Sequence, residues 1–232
     1  MPAFNEGKTI QRTLDRIHAV DLINGIEKEV LIINDCSTDN TEEMILQYQR
    51  ETPGLVIRYE KNKVNSGKGF SIRQGIKAAT GQYVIVQDAD LEDDPRDYNK
   101  LLAPIEEGFA DVVFGSRLMS GAPHRILFFW HSIGNKFLTF LSNIGTNLNL
   151  TDMETGYKLF RTEFLKQIEL KENRFGFEPE VTAKICRLPN IRIYEVGISY
   201  YGRTYQEGKK INWRDGVRAI YCIIKYNMFP GK

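Results

Sequence analysis

The segment Asp88-Ala89-Asp90-Leu91-Glu92-Asp93-Asp94-Pro95 carries acids at five of the seven positions from 88 to 94. It closes an apolar run, Tyr83 to Gln87. Strand alternation puts Asp88 and Asp90 on one side, just past the carboxyl edge where open α/β sheets take their ligands. Two carboxylates about 4 Å apart repel by roughly 4 kcal/mol at an effective dielectric of about 20. A hard divalent cation relieves that repulsion, and Mg2+ or Mn2+ takes one or two carboxylates together with water and phosphate oxygens. Asp88 and Asp90 are therefore read as metal-diphosphate ligands, and Asp93 and Asp94 as acids that cap the following helix.

Other polar clusters follow apolar runs. Asn65-Ser66-Gly67-Lys68-Gly69 fails both phosphate-loop patterns, because Asn62 and Ile72 stand where each needs a glycine. It remains either a Gly-rich helix start offering N–H groups and Lys68 to an anion, or a plain tight turn. In Asn34-Asp35-Cys36-Ser37-Thr38-Asp39, Asp35 is placed to accept from a nucleobase or ribose, and Ser37 and Asp39 serve the turn and the cap. Between Gly202 and Arg218 lie Arg203, Lys209, Lys210, Arg214 and Arg218 against Glu207 and Asp215, a local charge of +3. Arg203 and Lys209 are candidates to neutralise a diphosphate or phosphate, and Lys210, Arg214 and Arg218 are read as a solvated face. Asp152 is a polar island, open to reading as a catalytic carboxylate or as an Asx-turn. His18, His124 and His131 are scattered, which supports neither a zinc site nor a Ser-His-Asp triad.

These residues need a sheet to position them. Strands are predicted at Glu29 to Asn34, Val56 to Glu60, Tyr83 to Gln87 and Asp111 to Gly115, with centres 25 to 28 residues apart, the spacing of strand plus crossover helix. Asp39 and Ser66 are placed as caps of two intervening helices, the second running to about Ala79. Such apolar strands are covered on both faces, so the sheet is expected to be mostly parallel. Beyond Arg117, helices are predicted at Ile126 to Leu141, Thr162 to Ile168, Glu178 to Arg187 and Trp213 to Asn227, and a strand at Arg192 to Tyr201. The last helix carries Trp213, Val217, Ile220, Tyr221 and Ile224 on one face. No linker divides the chain, so residues 1–232 are read as one α/β domain with halves at 1–117 and 118–232. The chain opens on a turn sequence, Met1 to Glu6, with no room for a leading strand.

Composition narrows the class. The 31 basic and 30 acidic residues leave a net charge of +1, so no global field recruits nucleic acid or an anionic membrane. Hydrophobic content of 42% and charged content of 26% are those of a globular chain. The longest strongly apolar runs fall far short of the roughly 20 residues that span a bilayer. Three widely spaced cysteines and no visible signal sequence fit a cytoplasmic setting.

Taken in order, Pro2 to Glu6, Asn34 to Asp39, Asn65 to Gly69, Asp88 to Asp90, Gly115 to Arg117, Asp152 to Tyr157, Gly176 to Glu178 and Arg203 to Lys209 resemble the blocks of the family 2 glycosyltransferases of GT-A fold. The resemblance is greatest to the dolichyl-phosphate mannosyltransferase-like branch, which acts on polyprenyl phosphates. It implies inverting transfer of a hexose from a nucleotide-diphosphate sugar. Pro2, Phe4, Glu6, Ile33 and Asp35 would line the nucleotide pocket, with Asp88 and Ala89 touching the nucleotide. Asp90 would bind Mg2+ or Mn2+, and Glu92, standing where the family commonly has Gln, would keep a ligand role to the metal with one more negative charge. Arg117, Arg203 and Lys209 would hold the donor diphosphate or acceptor phosphate. A phosphate acceptor needs no strong base; a glycan hydroxyl would, and Asp152, then Glu178, would serve. The family places an apolar strand directly before Pro2, so the first strand is expected to be missing from the sheet. Ile126 to Trp130 beside Arg125 and Lys136 would either cover the sheet or dock peripherally at the inner face of a membrane, directly or through a partner subunit. Competing readings are a nucleotidyltransferase, disfavoured by the lack of a Gly-rich loop after a first strand, and a non-catalytic sugar-nucleotide-binding relic.

Overall fold

The computed structural model describes residues 1–119, 125, 128–204 and 213–228, and the Trp213 side chain lies outside that description. Lys209, Lys210, His124, Ile126 and Leu127 lie outside the described residues.

The first half alternates strand and helix: β1 (Pro2–Ala3), α1 (Ile10–His18), β2 (Glu29–Asn34), α2 (Thr41–Glu51), β3 (Val56–Lys61), α3 (Lys68–Ala78), β4 (Tyr83–Ile85), α4 (Tyr98–Glu106) and β5 (Val112–Ser116). The second continues with α5 (Phe129–Thr146), β6 (Lys158–Arg161), α6 (Thr162–Leu165), α7 (Phe177–Ile185), β7 (Ile193–Gly197) and α8 (Trp213–Met228). The strands form two sheets, in orders β1-β2-β3 and β4-β6-β5-β7. The first is wholly parallel. In the second, β5 and β7 are parallel while β6 runs antiparallel to both β4 and β5.

Helices cover both faces, as the apolar strands require. Ile10 and Leu14 of α1, Ile45 of α2 and Leu101 of α4 pack with Val30, Ile32 and Val113 on one face. Ile72 and Ile76 of α3, Val181 of α7 and Ile223 of α8 pack with Val112, Phe114 and Phe160 on the other. The alternation of Val112, Val113 and Phe114 between the two cores is the two-residue period of a strand buried on both sides.

Several expectations are corrected. The leading strand is not wholly absent: a two-residue stub, Pro2–Ala3, pairs with Ile33 and Asn34 of β2. Strand β6 escaped notice because Lys158 interrupts its apolar pattern; the Lys158 amine is buried and donates to the carbonyls of Met153 and Thr155. Helix α3 starts at Lys68 after Gly67, and the Ser66 hydroxyl bonds Val64 O rather than capping it. The face of α8 bearing Val217, Tyr221 and Ile224 points outward, and Ala219, Cys222, Ile223 and Tyr226 are buried instead.

Candidate active site

The carboxyl ends of β2, β4 and β5 bring together the residues singled out by the sequence. Beyond β4, Asp88 accepts from Lys68 Nζ through Oδ2 at 2.7 Å, and Lys68 also meets Glu178 Oε1 at 3.2 Å. Burial alone would lower the Lys68 ammonium; Asp88 and Glu178 outweigh it and hold the group above its ordinary value. Gly156 lies against this pair: a Cβ there would sit 3.3 Å from both Asp88 Oδ2 and Lys68 Nζ.

Asp90 Oδ2 accepts from Arg203 Nη2 at 2.7 Å, and its Oδ1 accepts from the Glu92 N–H at 3.2 Å. Leu91 between them takes φ +66°, a left-handed turn that folds the chain back so that both acids meet one arginine. Glu92 Oε1 accepts from the Arg203 backbone N–H at 2.8 Å and its Oε2 from the Tyr200 hydroxyl at 2.9 Å. Burial first, then Asp88 and Glu92, push the Asp90 carboxyl up to about 7. Burial, Asp88 and Asp90 raise Asp93 well above its ordinary value. Acidic charge therefore exceeds what Lys68, Arg117 and Arg203 neutralise.

The Gly-rich turn already holds an anion, and it belongs to the chain. Asp35 Oδ1 accepts from Ser66 N–H at 2.9 Å and Asn62 Nδ2 at 2.7 Å, while its Oδ2 accepts from Gly67 N–H at 2.7 Å. Two N–H groups of this turn, those of Ser66 and Gly67, are thus spent on Asp35, and Lys68 faces the acids. Gly67, at φ +98°, and Gly69 are required by packing: a Cβ would lie 2.4 Å from Asn173 O and 2.5 Å from Glu172 O, respectively.

Asp152 is fully buried and saturated. Its Oδ2 accepts from Arg117 N–H at 3.0 Å and Arg117 Nε at 2.7 Å, and its Oδ1 from Arg117 Nη2 at 2.7 Å and Asn135 Nδ2 at 2.8 Å. Burial would raise this carboxyl, but Arg117 and Asn135 overcome it and hold it below its ordinary value. Arg117 lies with its guanidinium carbon 5.2 Å from the Tyr200 ring centroid, so Asp152 fixes Arg117 beside the acidic turn.

A metal fits on charge, and the donor set is hard oxygen. Among the described residues no three His, Cys, Asp or Glu side chains converge as a closed metal centre. An Mg2+ or Mn2+ held by one or two carboxylates plus substrate phosphates does not need such a cage. Residues 1–169 match the sequence family described as Glycosyl transferase family 2.

The chain belongs to glycosyl transferase family 2.

Within this family it is 26% identical to dolichol-phosphate mannosyltransferase of Pyrococcus furiosus, over 97% of the chain and 63% of that protein. It is 29% identical to dolichyl-phosphate beta-glucosyltransferase of Dictyostelium discoideum, over 91% of the chain and 67% of that protein. The same identity, 29%, relates it to undecaprenyl-phosphate mannosyltransferase of Micrococcus luteus, over 90% of the chain and 85% of the relative. The chain therefore spans only 63% and 67% of the length of the first two relatives. A crystal structure of glucosyl-3-phosphoglycerate synthase from Mycobacterium tuberculosis with uridine-diphosphate superposes with TM-score 0.74 at 19% identity, covering 100% of this chain and 79% of that one. The same enzyme with Mn2+ and uridine-diphosphate-glucose gives 0.72. These likenesses establish the GT-A type of α/β fold.

The residues expected to line the nucleotide pocket differ in burial. Ala89 is buried, its carbonyl accepting from Thr13 Oγ1 at 3.1 Å. Ile33 is buried and lies toward α3, within 3.8 Å of a Cβ placed on Gly75. Glu6 is buried and accepts from Thr9 Oγ1 at 2.8 Å, while its N–H bonds Thr41 Oγ1. Pro2 and Phe4 are half-buried. Asp94 does cap, accepting from Arg96 N–H at 3.0 Å, whereas Asp93 bridges to Tyr200 and adds its carboxyl to the acidic cluster.

Sequence reading missed Glu154, Lys158 and Tyr200. Glu154 is driven up to about 8 by burial and then by Glu178, and its Oε1 is buried without a hydrogen-bond partner. Lys158 is lowered to about 8 by burial. The signal was present, since Glu154 and Lys158 flank the Gly156 that approaches Asp88, but only strand β6 brings them there.

Proposed function

We propose that the chain transfers a hexose, with inversion, from a nucleotide-diphosphate sugar to a polyprenyl phosphate, with Mg2+ or Mn2+ as cofactor. The observation that carries this reading is the acidic excess of Asp88, Asp90, Glu92 and Asp93 set against Lys68, Arg117 and Arg203 at the strand ends. A diphosphate brings the negative charge those cations attract, and the acids supply oxygens for a divalent ion.

Asp88 and Asp90 would hold the metal, which supplies charge stabilisation to the departing nucleoside diphosphate. Glu92 fixes Arg203 through its backbone N–H and Nε, and Asp152 fixes Arg117. Both guanidiniums are then preorganised beside developing phosphate charge, so little reorganisation is needed during transfer. Pro2, Phe4, Glu6, Asp35 and Ala89 bound the nucleotide side, with Asp35 acting through the 62–67 turn it holds.

The acceptor reading rests on two features. Asp152 has its lone pairs taken and does not stand ready as a base, which suits an acceptor anionic at neutral pH rather than a hydroxyl. Helices α5 and α8 also expose apolar side chains, including Trp130 at 76%, Phe129 at 67%, Phe140 at 60% and Val217 at 57%. Of the described residues in the 126–130 segment, Phe128, Phe129 and Trp130 are exposed. A lipid surface is the proposed contact, with Lys136 exposed among them; no helix among the described residues is long and apolar enough to cross a membrane.

Calorimetric titration with UDP and GDP, each with and without Mn2+, tests the donor site. Metal-dependent binding of one nucleotide, lost in Asp90→Asn, is expected. Equal binding by that variant overturns the metal assignment. Transfer of labelled sugar to undecaprenyl phosphate but not to a soluble glycan tests the acceptor.

A further inference from the structure

Glu154 is the acid of this site to which the transfer assigns no task. It stands in the 152–157 segment between α5 and β6, and its Oε1 is buried without a hydrogen-bond partner. The backbone on both sides of it is pinned. Asp152 N–H bonds Glu195 Oε1 at 3.1 Å, and Met153 N–H bonds Thr139 Oγ1 at 3.1 Å. The Lys158 ammonium clasps the carbonyls of Met153 and Thr155, and Tyr157 N–H bonds Thr155 Oγ1 at 3.2 Å. A fixed loop therefore presents the unpaired oxygen.

Leaving a buried oxygen unpaired is costly, and in a folded chain it calls for a cause. Its surroundings supply one. Two residues on, Gly156 lies against both Asp88 and Lys68. Glu178, Lys158, Arg117 and Asp152 act on Glu154 through their charges, and Glu178 itself meets Lys68 at 3.2 Å. Burial first, then Glu178, raise the Glu154 carboxyl to about 8. At neutral pH it is therefore mostly the acid, with an O–H to give and a carbonyl oxygen to accept. A sugar hydroxyl has the same two capacities and completes such a group. A sugar carboxylate does not: Lys158 is spent on two carbonyls and Arg117 on Asp152, while Glu178 and Asp152 add negative charge.

We propose that Glu154 is a specificity-determining residue, which takes a hydroxyl of the donor's sugar and makes the site prefer a neutral hexose to a hexuronate. This rests on the nucleotide-sugar donor reading given above. Because the loop is held before any ligand arrives, the contact needs no rearrangement of the chain, and its loss falls on sugar recognition rather than on the nucleotide.

The test is calorimetry with Mn2+ at pH 7. UDP and GDP are titrated first, and binding of neither overturns the donor reading and this proposal with it. The nucleotide that binds then selects the probes, UDP-glucose against UDP-glucuronate or GDP-mannose against GDP-mannuronate. The wild-type chain is expected to bind the hexose form at least about tenfold more tightly than the hexuronate, a comparison that needs no variant. Glu154→Ala should hold the free nucleotide within about twofold of wild type, weaken the hexose form by about tenfold and lose the preference. Glu154→Gln, whose amide also donates and accepts, should restore most of it. With the nucleotide bound, equal wild-type affinity for the two sugars overturns the proposal and leaves the donor site standing. So does a Glu154→Ala that keeps the preference. A Glu154→Ala that weakens nucleotide and sugar nucleotide alike overturns it too, since that is the mark of a merely structural acid.

Discussion

Asp152 and Arg117 form a buried bidentate pair, and removing one partner leaves the other's charge uncompensated. Asp152→Asn is expected to lower stability by about 3–5 kcal/mol in denaturant unfolding. In a double-mutant cycle with Arg117→Ala the losses should be strongly non-additive. The acidic limb of the pH–rate profile should survive in Asp152→Asn, because this carboxylate orients an arginine and carries no proton in turnover. Glu154 gives the opposite kind of signal. Its carboxyl is raised from 4.5 to about 8 in the folded chain, so the native state binds the extra proton between those values. That contribution to stability is full below about pH 4.5 and lost as pH rises through about 8. Glu154→Gln should therefore melt above the wild-type chain at pH 8.5, with the gap narrowing toward pH 5 in thermal scans across that range.

At the scale of elements, the start of α3 shows how a turn that resembles a phosphate loop is put to structural use. Asp35 at the end of β2 satisfies the Ser66 and Gly67 N–H groups, and the glycines admit the 172–174 backbone. Gly67→Ala must place a Cβ 2.4 Å from a carbonyl oxygen at φ +98°. A loss of about 1–3 kcal/mol from the backbone conformation alone, enlarged by the clash, is expected in urea unfolding. Since α3 also carries Lys68 to Asp88 and Glu178, nucleotide binding should weaken in the same variant.

For the molecule as a whole, the outward faces of α5 and α8 set the relation to the proposed lipid acceptor. Trp130→Ser with Phe137→Ser removes side chains that are 76% and 51% exposed. Exposed substitutions of this kind usually change stability by no more than about 0.5 kcal/mol, so the melting midpoint should hold. Co-sedimentation with phosphatidylglycerol vesicles should fall several-fold, and transfer to undecaprenyl phosphate presented in those vesicles should fall with it. An unchanged sedimentation would remove the membrane from the account and leave the donor site as described.

The sequence by itself determined the strands that carry the site. Apolar β-branched runs mark strands locally, and Glu29–Asn34 was placed to the residue, although β3, at the end of its sheet with Val56 exposed, is not buried as expected. It also put Asp88 and Asp90 at a carboxyl edge, because position along a strand is local information. Partner choice is not local. Only the tertiary structure could show that Asp35 occupies the helix start offered to phosphate and that Asp152 is spent on Arg117. Nor could local pattern show that the apolar stripe of α8 faces outward, since periodicity gives a face but not what lies opposite. Strand β6 is the extreme case. Its buried Lys158 breaks the apolar pattern in one dimension, yet in three it is held by two carbonyls and lies 4.7 Å from the Phe114 ring centroid.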